Sequence, residues 1–158
     1  MNAWTSHESL GALLGSTLGR PVKTAPVSKR EIKPADLVAV YTHDQHMRAA
    51  FVCELALGAH AAAALQVFPP SRAADSIKDG RLEEDLLENL HEVFNICTQL
   101  INATSPVHVS LASVCPFQEA PQALQESLAK TPMRMQVEVD IQGYGRGRMS
   151  LALFGSSS

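Results

Sequence analysis

The sequence predicts an α+β domain in which an antiparallel sheet is covered by helices. Met47, Ala49, Phe51, Cys53 and Leu55 alternate against Arg48 and Glu54, and Met135, Val137, Val139 and Ile141 against Arg134, Gln136, Glu138 and Asp140. That period of two is the mark of strands with one buried face. Leu82, Leu86, Leu90, Val93, Phe94, Cys97 and Ile101 instead recur at helical spacing. The strand-like runs are joined by short turns, "HDQH" and "GYG", so they pair as antiparallel hairpins.

The elements follow in order. "TSHE", Thr5 to Glu8, has the spacing of a capping box, and Leu10, Leu13, Leu14 and Leu18 continue a helix that Gly19 and Pro21 stop. "PVKTAPV" reads as an edge strand, and Leu37–Thr42 with Met47–Leu55 as a hairpin with one buried face. "LALGAHAAAALQVF" is an alanine-rich helix ending before Pro69, and "PPSRAADSIKDG" a polar connection. A helix then starts near Asp79 or Gly80, with Glu83, Glu84 and Asp85 at the positive end of its dipole, and fades into "ATSP". Val107–Val114 reads as a strand and "PQALQESLA" as a short helix or ordered loop. "MRMQVEVDIQGYGRGRMSLALF" reads as a closing hairpin. One domain is expected over residues 1–154, with 155–158 a disordered tail.

Composition excludes some functions. A net charge of −3 offers no basic field for nucleic acid. Cys53, Cys97 and Cys115 sit in apolar stretches without CxxC spacing, which predicts reduced core thiols and neither zinc nor a redox pair. There is no run of some 18 apolar residues and no basic leader, so the expectation is a soluble, cytoplasmic protein without membrane insertion.

The polar side of the long helix is unusual. Glu88, Glu92, Asn95, Gln99 and Asn102, spaced four, three, four and three, share one face, and no lysine or arginine follows Arg81 in the helix. Like charges at i,i+4 cost only about 0.2–0.5 kcal/mol, so periodicity alone reads as a solvated face. The sharper feature is a carboxylate at Glu92 one turn before a carboxamide at Asn95, a pair able to grip a cation and orient a water from a stiff support.

On these residues the chain resembles the CheC/CheX family of chemotaxis phosphatases. "ENLHEVFN" supplies the acidic position Glu88, then Glu92 and Asn95, and "VHVSLASVCP" supplies the following strand and Pro116. The element order matches over most of the chain, and a single motif helix makes it more similar to CheX. Gln99 stands where that family commonly has a small residue. The resemblance implies a CheC/CheX-like fold and hydrolysis of the phospho-aspartate on a CheY-like receiver domain. In that reading Glu92 and Asn95 are catalytic, while Glu88, Gln99 and Asn102 touch the partner. The receiver supplies Mg²⁺, the chain binds no metal of its own, and two copies pair through sheet edges. The alternatives are a non-catalytic adaptor that binds receivers or motor and secretion components, and a small-molecule sensor with an internal pocket.

Other residues read as structural. His43 and His46 flank a turn without a third ligand at a recognisable spacing. Cys97 belongs to the apolar stripe, on another side of the helix from His91. "GYGRGR" joins strands where a phosphate-binding loop would lead into a helix, and Arg146 and Arg148 are turn residues. Trp4 and Phe68 read as core anchors.

Overall fold

The computed structural model describes residues 6–103 and 105–155. Six strands, β1 (Val22–Pro26), β2 (Leu37–His43), β3 (His46–Cys53), β4 (Ser110–Pro116), β5 (Met133–Ile141) and β6 (Gly145–Leu153), form one sheet in the order β1-β5-β6-β3-β2-β4. Every neighbouring pair is antiparallel. The five helices are α1 (His7–Leu18), α2 (Leu55–Leu65), α3 (Pro70–Asp79), α4 (Glu84–Asn102) and α5 (Gln122–Lys130).

The alternation read from the sequence holds in β5, where Met135, Val137, Val139 and Ile141 face the main core beneath α1, α2 and α4. The first hairpin is different. Its two central residues, Asp44 and Gln45, both take positive φ, the geometry of a tight primed turn, and β2 is buried on both faces. Leu37, Ala39 and Tyr41 enter the main core, whereas Val38, Val40, Ala50 and Val52 join a second cluster on the opposite face with Leu124 and Leu128 of α5. The expectation of one buried face fails because α5 and the segment carrying Ile32 cover what a simple hairpin would leave wet.

Residues 70–79 are also a correction. The polar connection is the helix α3, started by Pro69 and Pro70 and closed by Gly80 at φ +79. Only Ala73 and Ser76 of α3 are buried, too narrow a stripe to register as hydrophobic periodicity. Consequently the long helix begins at Glu84, not near Asp79. At the N-terminus the capping side chain is Ser6, which accepts from the Ser9 amide; Thr5 and Trp4 lie outside the described residues, as do Thr104 and Ser156–Ser158. The fourth strand begins at Ser110, three residues later than read.

Helix α2 lies close to its neighbours because of Gly58. A Cβ there would stand 2.7 Å from Leu37 Cδ1 and 3.2 Å from Leu90 Cδ2, so the glycine sets how near α2 comes to β2 and α4. No described helix is long and apolar enough to cross a membrane.

Candidate functional site

Helix α4 is built to hold one face still and leave the other open. Leu86, Leu90, Val93, Phe94, Cys97 and Ile101 are all buried. Phe94 stacks on Phe51 at 5.7 Å, and Phe51 meets Tyr41 edge-on at 6.0 Å. Around this apolar seat are three polar clamps. The buried Asn89 donates from Nδ2 to the Ala62 carbonyl on α2 at 3.0 Å, and the Tyr41 hydroxyl donates to the Phe94 carbonyl at 2.6 Å. Asn102 closes the far end: its Oδ1 accepts from the Val109 amide at 2.8 Å and its Nδ2 donates to the Val109 carbonyl at 3.1 Å.

Asn102 thus has a structural role that its place on the polar face did not announce. Half-buried, with both ends of its carboxamide committed to the backbone of Val109, it fastens the end of α4 to the segment entering β4. Helical spacing places it on the polar face, but fifteen residues of helix bring that face round to the sheet at this end.

The other four residues stay outward. Glu88, Glu92, Asn95 and Gln99 are exposed, and none makes a side-chain hydrogen bond or ion pair among the described residues. Glu84, one turn before Glu88, is also exposed and extends the acidic row. Near the start of the helix the charges are paired. Arg72 of α3 donates from one guanidinium nitrogen to both carboxylate oxygens of Asp85 at 2.8 Å and lies 3.6 Å from Glu83. The Arg72 hydrogen bond holds the Asp85 carboxyl below its ordinary range. The open row therefore begins beyond this pair, with Glu92 and Asn95 near its centre.

Sequence reasoning missed Asn89, Tyr41 and Arg72 as supports. Asn89 had a visible signal, since it falls within the apolar stripe three residues after Leu86. Tyr41 and Arg72 had none, because their partners are 53 and 13 residues away in the chain.

The remaining candidates take structural places. Burial pushes the Cys97 thiol up to about 12, so it stays protonated beneath the helix. His43 is bonded through Nδ1 to the His108 carbonyl at 2.8 Å and sits beside Asp44 at 3.3 Å. "GYGRGR" spans the β5–β6 turn, with Gly143 and Gly145 at positive φ, Arg146 3.8 Å from Glu138 and the Arg148 amide bonded to Glu54. Phe68 lies under the Arg72 guanidinium at 4.8 Å. Pro116 ends β4 opposite Leu37 and borders a recess with Leu82 and Leu87, at the N-terminal end of α4. The void among Leu90, Phe94, Cys97 and Met149 measures only about 10 Å³, too little for an internal ligand.

No family model matches the chain, and no curated protein matches it in sequence. Solved structures do match. A CheC-like superfamily protein from Shewanella sp. PV-4 is 14% identical, with 98% of this chain and all of that one covered at a TM-score of 0.53. Chemotaxis protein CheX from Vibrio vulnificus is 14% identical over 93% of this chain and 95% of that one, at 0.51. FliM from H. pylori, crystallised in complex with SpeE, is 10% identical over 93% of this chain and 80% of that one, at 0.59. The chain has the CheC/CheX-like fold, shared with the FliM middle domain, and the resemblance read from the sequence is borne out at that level.

Proposed function

We propose that this protein accelerates hydrolysis of the phospho-aspartate on a CheY-like receiver domain. One observation carries the reading: Glu92 and Asn95 stand one turn apart on a clamped helix, exposed and without side-chain partners among the described residues. The Asn95 carboxamide oxygen accepts a hydrogen bond from a water and its nitrogen donates toward a phosphoryl oxygen, aligning the water for in-line attack, in which the water oxygen bonds to phosphorus and its proton passes to the phosphate. The P–O bond to the receiver's aspartate then breaks, releasing carboxylate and inorganic phosphate. The receiver's own Mg²⁺ neutralises the phosphoryl oxygens, and Glu92 pairs with a receiver lysine. Because such transition states are loose, orientation and charge are sufficient catalysis and no covalent intermediate on this chain is needed. Glu88 and Gln99 contact the receiver on either side.

The test is the decay of phosphorylated receivers with and without this protein, repeated with Asn95→Ala. Acceleration that disappears in the variant supports the reading; undiminished acceleration by the variant sinks it.

A second reading keeps the surface and drops the chemistry: an adaptor that binds receivers or motor components. It is favoured by the FliM likenesses, since FliM was crystallised with SpeE and with FliG. Binding to receivers with unchanged phosphate decay would select it.

Two copies would pair through a sheet edge. Both edge strands end at a proline, Pro26 and Pro116, but β1 also carries Lys23, which is unfavourable for pairing, whereas β4 has no charged residue. The β4 edge is the one assigned to the homodimer.

A further inference from the structure

On the opposite side of the sheet from α4, an open cleft of about 570 Å³ lies between the segment 29–32 and the end of α5. That volume is within the range of about 300–1,000 Å³ typical of small-molecule sites. Its apolar lining comes from Ile32, Phe117, Leu128, Pro132 and Met133. The wall formed by residues 29–32 is held at both ends. The Val27 amide bonds to the Gln136 carbonyl, and Arg30 turns inward to a two-pronged pair with the buried Asp36 at 2.8 and 2.9 Å. This fixed wall and the helix end opposite make the cleft a built feature of the fold.

The polar groups around it define what would fit. Arg30 is neutralised by Asp36, with Glu54 a further 3.8 Å away, so its charge is not offered to a ligand. Lys29, on the rim, makes no ion pair among the described residues, and the Gln136 carboxamide has no side-chain hydrogen bond. Lys130 and Arg134, exposed, are chain neighbours of the lining residues Ala129, Thr131 and Met133. Against these three cations stand two acids, Glu31 in the lining and Glu54 behind Arg30. On a chain with net charge −3, this is a local cationic surplus beside an apolar floor.

We infer that the cleft binds a small anionic amphiphile of the fatty-carboxylate kind, its hydrocarbon body on Ile32, Leu128 and Met133 and its carboxylate at Lys29. The inference is independent of the phosphatase reading, because none of these residues touches the Glu92/Asn95 face.

The experiment is a titration of the full chain with decanoate, followed by methyl NMR at Ile32, Leu128 and Met133. Decanol and decyltrimethylammonium serve as neutral and cationic controls. Saturable shifts confined to those methyls are expected, with decanoate favoured over the cation by up to about fivefold, as one exposed ion pair allows. Lys29→Glu should erase that preference. Ala129→Trp, a substitution at an exposed position on the wall, should abolish the shifts while circular dichroism and the melting temperature stay unchanged. Shifts that do not saturate, that spread to Leu87 or Leu100 on α4, or that survive Ala129→Trp would overturn the assignment. Equal affinity for decanoate and the cation would overturn the role of Lys29 and with it the anionic class.

Discussion

The hydroxyl of Tyr41, on β2, donates a 2.6 Å hydrogen bond to the carbonyl of Phe94, the residue immediately before Asn95. The bond is buried, and burial pushes the phenol well above its ordinary range, so it remains a donor at any physiological pH. It ties the backbone under the candidate site to the sheet.

Tyr41→Phe removes the donor and leaves the ring in its edge-on contact with Phe51. Unfolding free energy should fall by about 1 kcal/mol, the usual net worth of one hydrogen bond, as read by urea denaturation. If Asn95 acts by position, receiver dephosphorylation should slow at temperatures where the variant is still fully folded. A rate identical to the parent would mean that this bond serves stability alone.

Asn95→Ala should behave in the opposite way. The side chain is exposed and makes no hydrogen bond among the described residues, so stability should change by less than about 0.5 kcal/mol. Phosphatase activity should fall by about 10²–10³, the usual effect of deleting one preorganised polar contact. Glu92→Lys, equally neutral for folding, should weaken receiver binding, with the loss shrinking at high salt as screening predicts. Surface plasmon resonance over an ionic-strength series distinguishes this from a lost apolar contact, which salt would not weaken.

These contrasts bear on what a sequence can disclose. Hydrophobic periodicity located α4 and its outward face because six apolar residues, from Leu86 to Ile101, recur there at helical spacing. It could not locate α3, whose helicity comes from two prolines, a left-handed glycine and packing against α2. Neither could it separate Asn95 from Asn102, two carboxamides on the same helical face. Their difference lies in where β4 enters the sheet, a long-range fact that no local pattern encodes. Likewise the second buried face of β2 and β3 depends on α5, some seventy residues further along the chain.

Asn102→Ala accordingly should be a folding defect. It removes two hydrogen bonds and leaves the amide and carbonyl of Val109, a fully buried residue, without those partners. A loss of about 1–3 kcal/mol is expected from thermal or urea unfolding. Receiver affinity per folded molecule should not change. Weakened binding at full folding would restore Asn102 to the partner surface.

Edge pairing through β4 makes a separate prediction. Ser113 is exposed on that strand, so Ser113→Lys should leave the fold intact while setting two lysines near the dyad of an antiparallel β4–β4 pair. Light scattering should report a dimer for the parent and a monomer for the variant. A parent that is monomeric at every concentration removes the dimer.

The last prediction concerns the pair that closes the acidic row. Asp85 is bonded by Arg72, and that bond lowers its folded pKa from 3.8. A carboxyl with a depressed folded pKa contributes stability that is present above the unfolded value and is lost as pH falls through the folded one. The parent should therefore lose this increment on acidification below about pH 4, the ordinary carboxylate range. Asp85→Asn should lack it at neutral pH and show a shallower decline in melting temperature from pH 5 to pH 2. Both groups are exposed, so the difference should also shrink in 1 M salt. Because the pair fastens α3 beside the first turn of α4, amide exchange should quicken first in residues 70–83, while exchange around Phe94 stays slow. Equal acid profiles for the two proteins would mean that the Asp85 pair contributes nothing to stability, and that α3 is held by Ala73, Ser76 and the contacts of Arg72 with Glu83 and Phe68.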